Sequence, residues 1–278
     1  MKKSVKIWWI ITLLFAVGSY VFLIRLHHNP WYVFLGALVL YLGINYVLFL
    51  GTALGITGYV FQVFFNKENW AIPFYEQALK HNTKSAYALA AYGLILLKEG
   101  QNEKALPLFE KIQIINPSVM LDKIAFTNKA VCLWKMGEVD KAIETLNEMN
   151  TKFDYISAST YTTLGFLHLL KKDYEKALDY TQKALKDTPD HGPALDNLGQ
   201  IYFYQNDLTK AEEYFKKALE EKSTMVDSKY YLGLVYEQQG NLDLAKEYFK
   251  KAYENKVTAF STITFEQVKE KYDQYFSK

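Results

Sequence analysis

The chain has 278 residues, half of them hydrophobic, enough material for a sizeable core without a covalent staple. Its single cysteine, Cys132, excludes an internal disulfide, and its formal net charge of +2 conceals an uneven distribution. Residues 1–65 hold Lys2, Lys3, Lys6 and Arg25 and no acid, while the other 28 of the 32 basic residues accompany all 30 acids in the rest of the chain. That near-neutral part is a lysine–glutamate mixture, and Arg25 is the only arginine. It lacks the basic stripe and guanidinium forks of nucleic-acid recognition, so nucleic acid is not an expected partner.

Residues 7–24, IWWIITLLFAVGSYVFLI, are uncharged and mostly apolar, about 27 Å as a helix against a hydrocarbon core of roughly 30 Å. Lys6, Trp8 and Trp9 at one end and Arg25 at the other stand where interfacial anchors belong. His27, His28, Asn29 and Pro30 read as a polar turn, since two histidines without further ligands make no metal site. A second uncharged run extends from Trp31 to Phe65 and reads as one helix, about 52 Å long if unbroken. The expectation is a membrane anchor over residues 1–65, with transmembrane helices at about 7–26 and 31–55, the second continuing to 65 if nothing interrupts it. Gly36, Gly43, Gly51, Gly55 and Gly58 fall roughly on one face, and GTALG matches a close-packing G-x-x-x-G pattern. Packing against the first span is the preferred use of that face, ahead of dimerisation. Lysines precede the first run and follow the second, which places both ends in the cytoplasm. A cleaved leader ending near Ala16-Val17-Gly18 is the competing reading, and apolar residues continuing past it weigh against cleavage.

From Asn66 onward the chain repeats itself. LGQIYFYQNDLTKAEEYFKKAL at 198–219 returns 34 residues later as LGLVYEQQGNLDLAKEYFKKAY. A period of this size marks one supersecondary unit copied in series, each copy too small to bury its own apolar face. Within a copy, apolar residues recur at helical spacing twice, around Leu198, Gly199 and Tyr202 and around Ala211, Phe215 and Ala218, with Asn206 and Asp207 between. The unit is therefore helix, turn, helix. The same register gives a half repeat at 66–83 and full repeats at about 86–119, 123–156, 158–191, 192–225 and 226–259. The membrane helix leading into the half repeat is a candidate for its missing first helix. The second full copy starts three residues late, read as an enlarged loop from Asn116 to Asp122. Gly100, Gly137, Asn206 and Gly240 occupy the turn, where positive φ is commonly needed, and Lys172 departs from that pattern. Residues 260–278 read as a capping helix, opened by Thr264 with Gln267 three residues on.

The spacing of Gly199, Tyr202, Ala211, Phe215 and Ala218, repeated at Gly233, Tyr236, Ala245, Phe249 and Ala252, resembles the tetratricopeptide repeat family. The resemblance implies an α-solenoid, a right-handed superhelix of helix-turn-helix repeats; with the two apolar runs the expected fold is all-α, a transmembrane helical hairpin followed by that solenoid and the capping helix. The resemblance also implies a concave surface, lined by first helices, that holds a peptide or partner helix. Carried over residue by residue, the expected groove residues are Leu94, Asn128, Val131, Trp134, Phe166, Leu169, Asn197, Gln200, Phe203 and Tyr230. Trp134, Phe166, Phe203 and Tyr230 are the aromatic anchors. A carboxylate clamp, which some members use, is not expected, because its basic places hold Ala90, Ser159 and Thr163, or in the next register Thr162, Asp227 and Tyr231.

Catalytic patterns are missing: there is no G-x-S-x-G, glycine-rich phosphate loop, H-E-x-x-H or C-x-x-C. His168 stands in the aromatic slot of Tyr202, and Cys132 reads as a buried small hydrophobe. No enzyme activity, metal or cofactor is expected. The expected function is a membrane-anchored scaffold or adaptor binding protein partners through an apolar, aromatic groove, in envelope assembly or quality control. A homo-oligomeric structural membrane protein and a non-catalytic regulatory or substrate-presenting subunit of a separate enzyme are the alternatives.

Overall fold

The computed structural model describes residues 21, 30–115, 118–153, 156–258 and 261–276. The first expected span, at about 7–26, lies almost wholly outside these residues, as do the two adjacent histidines. Thirteen helices and no strand occur among the described residues. The chain divides into two compact units, residues 1–92 and 93–278.

The first unit is built on α1 (Pro30–Val63), a single 34-residue helix with no charged side chain, and α2 (Glu68–Lys80); the boundary between the units falls within α3 (Ala86–Lys98). Trp31, Phe34, Leu35, Val39, Leu40 and Phe49 expose their side chains along the N-terminal part of α1. The side chains at 30, 32, 33, 42 and 44–48 lie outside the description. Among the described residues, no helix is long and apolar enough to cross a membrane.

The C-terminal part of α1 has a different neighbour from the one expected. A Cβ on Gly51 would meet the His81 carbonyl, one on Gly55 the Ala88 methyl at 2.7 Å, and one on Gly58 the Tyr75 ring at 2.9 Å. The glycine face is thus covered by α2 and the segment leading into α3, which corrects the expectation that GTALG packs against the first span. Among the described residues, a Cβ on Gly36 or Gly43 in the same helix would meet nothing within 4 Å. Gly58 over Tyr75 repeats what Gly93 does over Phe109, Gly199 over Phe215 and Gly233 over Phe249. Asn66 closes the helix at φ 51°, in the place held by Gly100 and Gly137 in later copies. The half repeat is therefore completed by α1: its last three turns are the first helix of a repeat.

The second unit continues with α4 (Asn102–Ile114), α5 (Val119–Lys135), α6 (Val139–Lys152), α7 (Ala158–Leu170), α8 (Tyr174–Asp187), α9 (Gly192–Tyr204), α10 (Leu208–Glu221), α11 (Val226–Gln238), α12 (Leu242–Tyr253) and α13 (Phe265–Phe276). Second helices bury a narrow stripe, Ala177, Thr181 and Ala184 in α8 and Ala211, Phe215 and Ala218 in α10, with charged faces outward. First helices bury most of their surface, because they pack against their own second helix and the next pair. Asp173, Asp207 and Asn241 cap the second helices by accepting the backbone N–H three residues on, which satisfies one of the free donors of the first turn.

Two sequence expectations change here. Residues 119–122 are helix, not loop: α5 has 17 residues where α7, α9 and α11 have 13. Ser118 starts it by accepting the Leu121 N–H, and Asp122 in the first turn lies 2.7 Å from Lys152 Nζ. The turn at Lys172 is no exception in backbone terms, since Lys172 takes φ 60° beside 63° at Asn206 and 79° at Gly240. Thr264 and Gln267 do form the expected reciprocal cap, at 3.2 and 2.7 Å. The helix it opens buries Val268 and stacks Tyr272 on Tyr253 and Tyr275 on Phe249.

Candidate protein-binding groove

Helices α5, α7, α9 and α11 present side chains to a common groove because positions three and four apart share a helix face. Val131 and Trp134 come from α5, Thr162 and Phe166 from α7, Asp196 and Asn197 from α9, and Asp227 from α11. They border a cavity of about 420 Å³, whose rim also carries His191, Lys222 and Lys256. Phe166 separates it from a second cavity of about 290 Å³ bordered by Leu169, Gln200, Tyr204, Tyr231 and Ile263. Trp134 meets Phe166 edge-on at 4.8 Å, with the Lys135 ammonium 4.1 Å from the indole centroid. This aromatic wall mixes apolar area with a cation held by the ring face.

The groove is partly filled by the chain itself. Between α12 and α13 the backbone crosses the first helices, and Ser261 and Ile263 are buried there. Lys135 Nζ donates to the Ser261 carbonyl at 2.8 Å. The Thr262 N–H and hydroxyl both donate to Asp227 Oδ1, at 2.5 and 2.6 Å, and Gln200 Nε2 lies 3.4 Å from the same hydroxyl. Beneath this, Asp196 accepts from Ser228 Oγ at 2.5 Å and from Gln200 Nε2 at 2.7 Å. Burial first, and then the neighbouring Asp227 carboxylate, push Asp196 up to about 7. Burial lowers Lys135, against an opposing pull from Asp227, and lowers His191 against Asp190.

Six of the ten expected groove residues come together at these two cavities: Val131, Trp134, Phe166 and Asn197 at the larger, Leu169 and Gln200 at the smaller. Leu94, Asn128, Phe203 and Tyr230 border neither. Asn128 donates to the Ile124 carbonyl of its own helix, and Asn197 to the Thr162 carbonyl of the helix before it. Phe203 packs on Tyr231 and Tyr230 on Phe249. Lys135, His191, Lys222 and Thr262 were not reached from sequence. Lys135 follows Trp134 directly, but its partner is 126 positions away, and no local pattern signals such a pair. His168 stacks on Tyr180 at 5.4 Å, filling an aromatic slot, with its proton affinity lowered mainly by burial. Burial pushes the Cys132 thiol up to about 12, as befits a packed hydrophobe. Among the described residues, no group of histidine, cysteine and acidic side chains could hold a metal ion.

Two tetratricopeptide repeat models match the chain, one over residues 156–220 and the other over 71–119 and 197–256, together more than half its length. The chain belongs to the tetratricopeptide repeat family. A tetratricopeptide repeat protein from Parabacteroides merdae superposes with a TM-score of 0.67 at 16% identity, over 94% of this chain and 98% of that one. A thermophilic family member from Thermus thermophilus gives 0.58 at 23% identity, over 68% and 98%. PilW, a type IV pilus biogenesis factor, gives 0.58 at 18% identity, over 80% and 96%. At these identities the likeness is one of fold. No curated protein matches the chain significantly.

Proposed function

We propose that this chain is a membrane-anchored scaffold whose repeats hold a non-helical segment of a partner protein in the groove bordered by Trp134, Phe166, Asn197 and Asp227. The observation that carries the reading is that the groove already accommodates non-helical backbone: a carbonyl is taken by Lys135 and an N–H by Asp227, beside about 420 Å³ of open volume. Apolar, aromatic and hydrogen-bonding groups together are what a peptide needs, whereas a small-molecule enzyme site needs a reactive constellation. Anchoring is supported by the uncharged apolar run at residues 7–24, by the apolar side chains exposed on α1, and by the basic residues before the first apolar run and after α1. With lysines at both ends, the repeats belong on the cytoplasmic side, where recruitment of envelope-assembly or quality-control partners fits an anchored scaffold.

Site-specific photo-cross-linking in intact cells tests the binding reading. A benzoylphenylalanine at Thr163, on the groove, should give an adduct of one defined mass that disappears on adding Trp134→Ala. The same probe at Glu213, on the exposed face of α10, should give none. No adduct from Thr163, or the same adducts from both positions, would overturn the assignment of the groove as the binding surface.

A further inference from the structure

Residues 261–264 differ from an ordinary inter-helix loop in what holds them. Their ties come from three first helices, α5 through Lys135, α9 through Gln200 and α11 through Asp227. Two of those ties go to backbone groups, a carbonyl and an N–H, which any polypeptide offers. The third set reads side chains: Asp227 takes a hydroxyl proton, and Ile263 sits 4% exposed among Tyr231 and its neighbours. Lys135 is half-buried and Asp227 is 9% exposed, so both would lose a polar partner in a confined setting if the segment left. Open volume remains on both sides of it, about 420 and 290 Å³.

We propose that residues 261–264 are a resident stand-in for the partner: the groove recognises a bent, non-helical protein segment with a hydroxyl residue followed by an aliphatic one, and the partner binds by displacing the chain's own copy. This rests on the reading of the groove as the partner site. The polar code follows from the ties already made. A carbonyl meets Lys135, the next residue's N–H and hydroxyl meet Asp227, and the aliphatic side chain after it enters the Ile263 position. Because the resident segment is tethered, its effective concentration is on the order of millimolar, and a free peptide binds weakly until the segment is loosened.

The test uses the full chain in mild detergent and a fluorescent peptide of residues 256–266, KVTAFSTITFE, read by polarisation. The variant carrying Thr262→Ala with Ile263→Ala should bind the peptide at least about tenfold more tightly than the unaltered chain, as release from an intramolecular competitor requires. Adding Asp227→Ala, which removes the acceptor, should remove that gain. Equal affinity for both proteins would overturn the stand-in while leaving the groove a peptide site. Binding to neither folded protein would overturn it too, and the cross-linking at Thr163 then decides separately whether the groove takes a partner. Should the double variant fail to fold by circular dichroism, a nitroxide on Glu266→Cys, an exposed position two residues past the segment, answers the same question in an otherwise intact chain. Excess unlabelled peptide should sharpen its spectrum as the segment is released; an unchanged spectrum would overturn the proposal. The buried Cys132 does not compete for the label.

Discussion

Asp196 is 4% exposed on α9, and its carboxylate accepts from both Ser228 and Gln200. Burial and the adjacent Asp227 raise it to about 7, whereas an unfolded aspartate titrates near 3.9. Between those values the folded chain keeps a proton that the unfolded chain has lost, so this residue's contribution to stability is full at low pH and falls as pH rises through the window. His168 and His191 act in the opposite sense below the ordinary histidine value, because burial disfavours their charged forms. The comparison is therefore made against Asp196→Asn: between about pH 5 and pH 8, the urea midpoint of the unaltered chain should fall relative to that of the variant. Parallel pH profiles would show that Asp196 titrates normally. Lys172 offers a second test at this scale. It holds a left-handed backbone where three of the equivalent turns use glycine, so Lys172→Gly should stabilise by about 0.5–1 kcal/mol in chemical denaturation.

At the scale of elements, the repeat is decided by what fits between paired helices. A Cβ on Gly199 would lie 2.6 Å from the fully buried Phe215 ring, and one on Gly233 equally close to Phe249. Neither ring has room to retreat, so Gly199→Ala should destabilise by about 1–3 kcal/mol and Phe215→Ala by about 3–5 kcal/mol, measured by thermal or urea unfolding. Gly58→Ala should behave like Gly199→Ala if α1 is the first helix of a repeat; a neutral outcome would separate α1 from the repeat array. These helix pairs were legible in the sequence because their contacts are short-range and recur every 34 residues, as Gly199 with Phe215 and Gly233 with Phe249 do. The cap at Thr264 and Gln267 was legible for the same reason. The role of residues 51–63 was legible only as a candidate, since uniform apolarity in α1 hides the polar contrast that marks the later first helices. The extra turn of α5 was misread because Ser118 and Asp122 are loop-forming residue types that here serve as a cap and a first-turn acid. The segment at 261–264 was not legible, since its ties to Lys135, Gln200 and Asp227 span 126, 62 and 35 positions.

At the scale of the whole molecule, an apolar N-terminal region accompanies a repeat array that holds a non-helical segment of its own chain. The proposed topology predicts that a tag placed after Lys278 resists protease in intact protoplasts and is digested on lysis; digestion in intact protoplasts would place the repeats outside. Binding depends on the first helices acting as a surface for backbone, and the chain supplies its own probe. The Thr262 amide lies in an irregular segment, yet it donates to a buried carboxylate. Hydrogen exchange at that amide is the most direct measurement. The account predicts protection well above that of an exposed loop amide in the unaltered chain, lost on Asp227→Ala and on adding excess KVTAFSTITFE peptide. Exchange at the rate of an unstructured amide in the unaltered chain would contradict the claim that this groove binds polypeptide backbone.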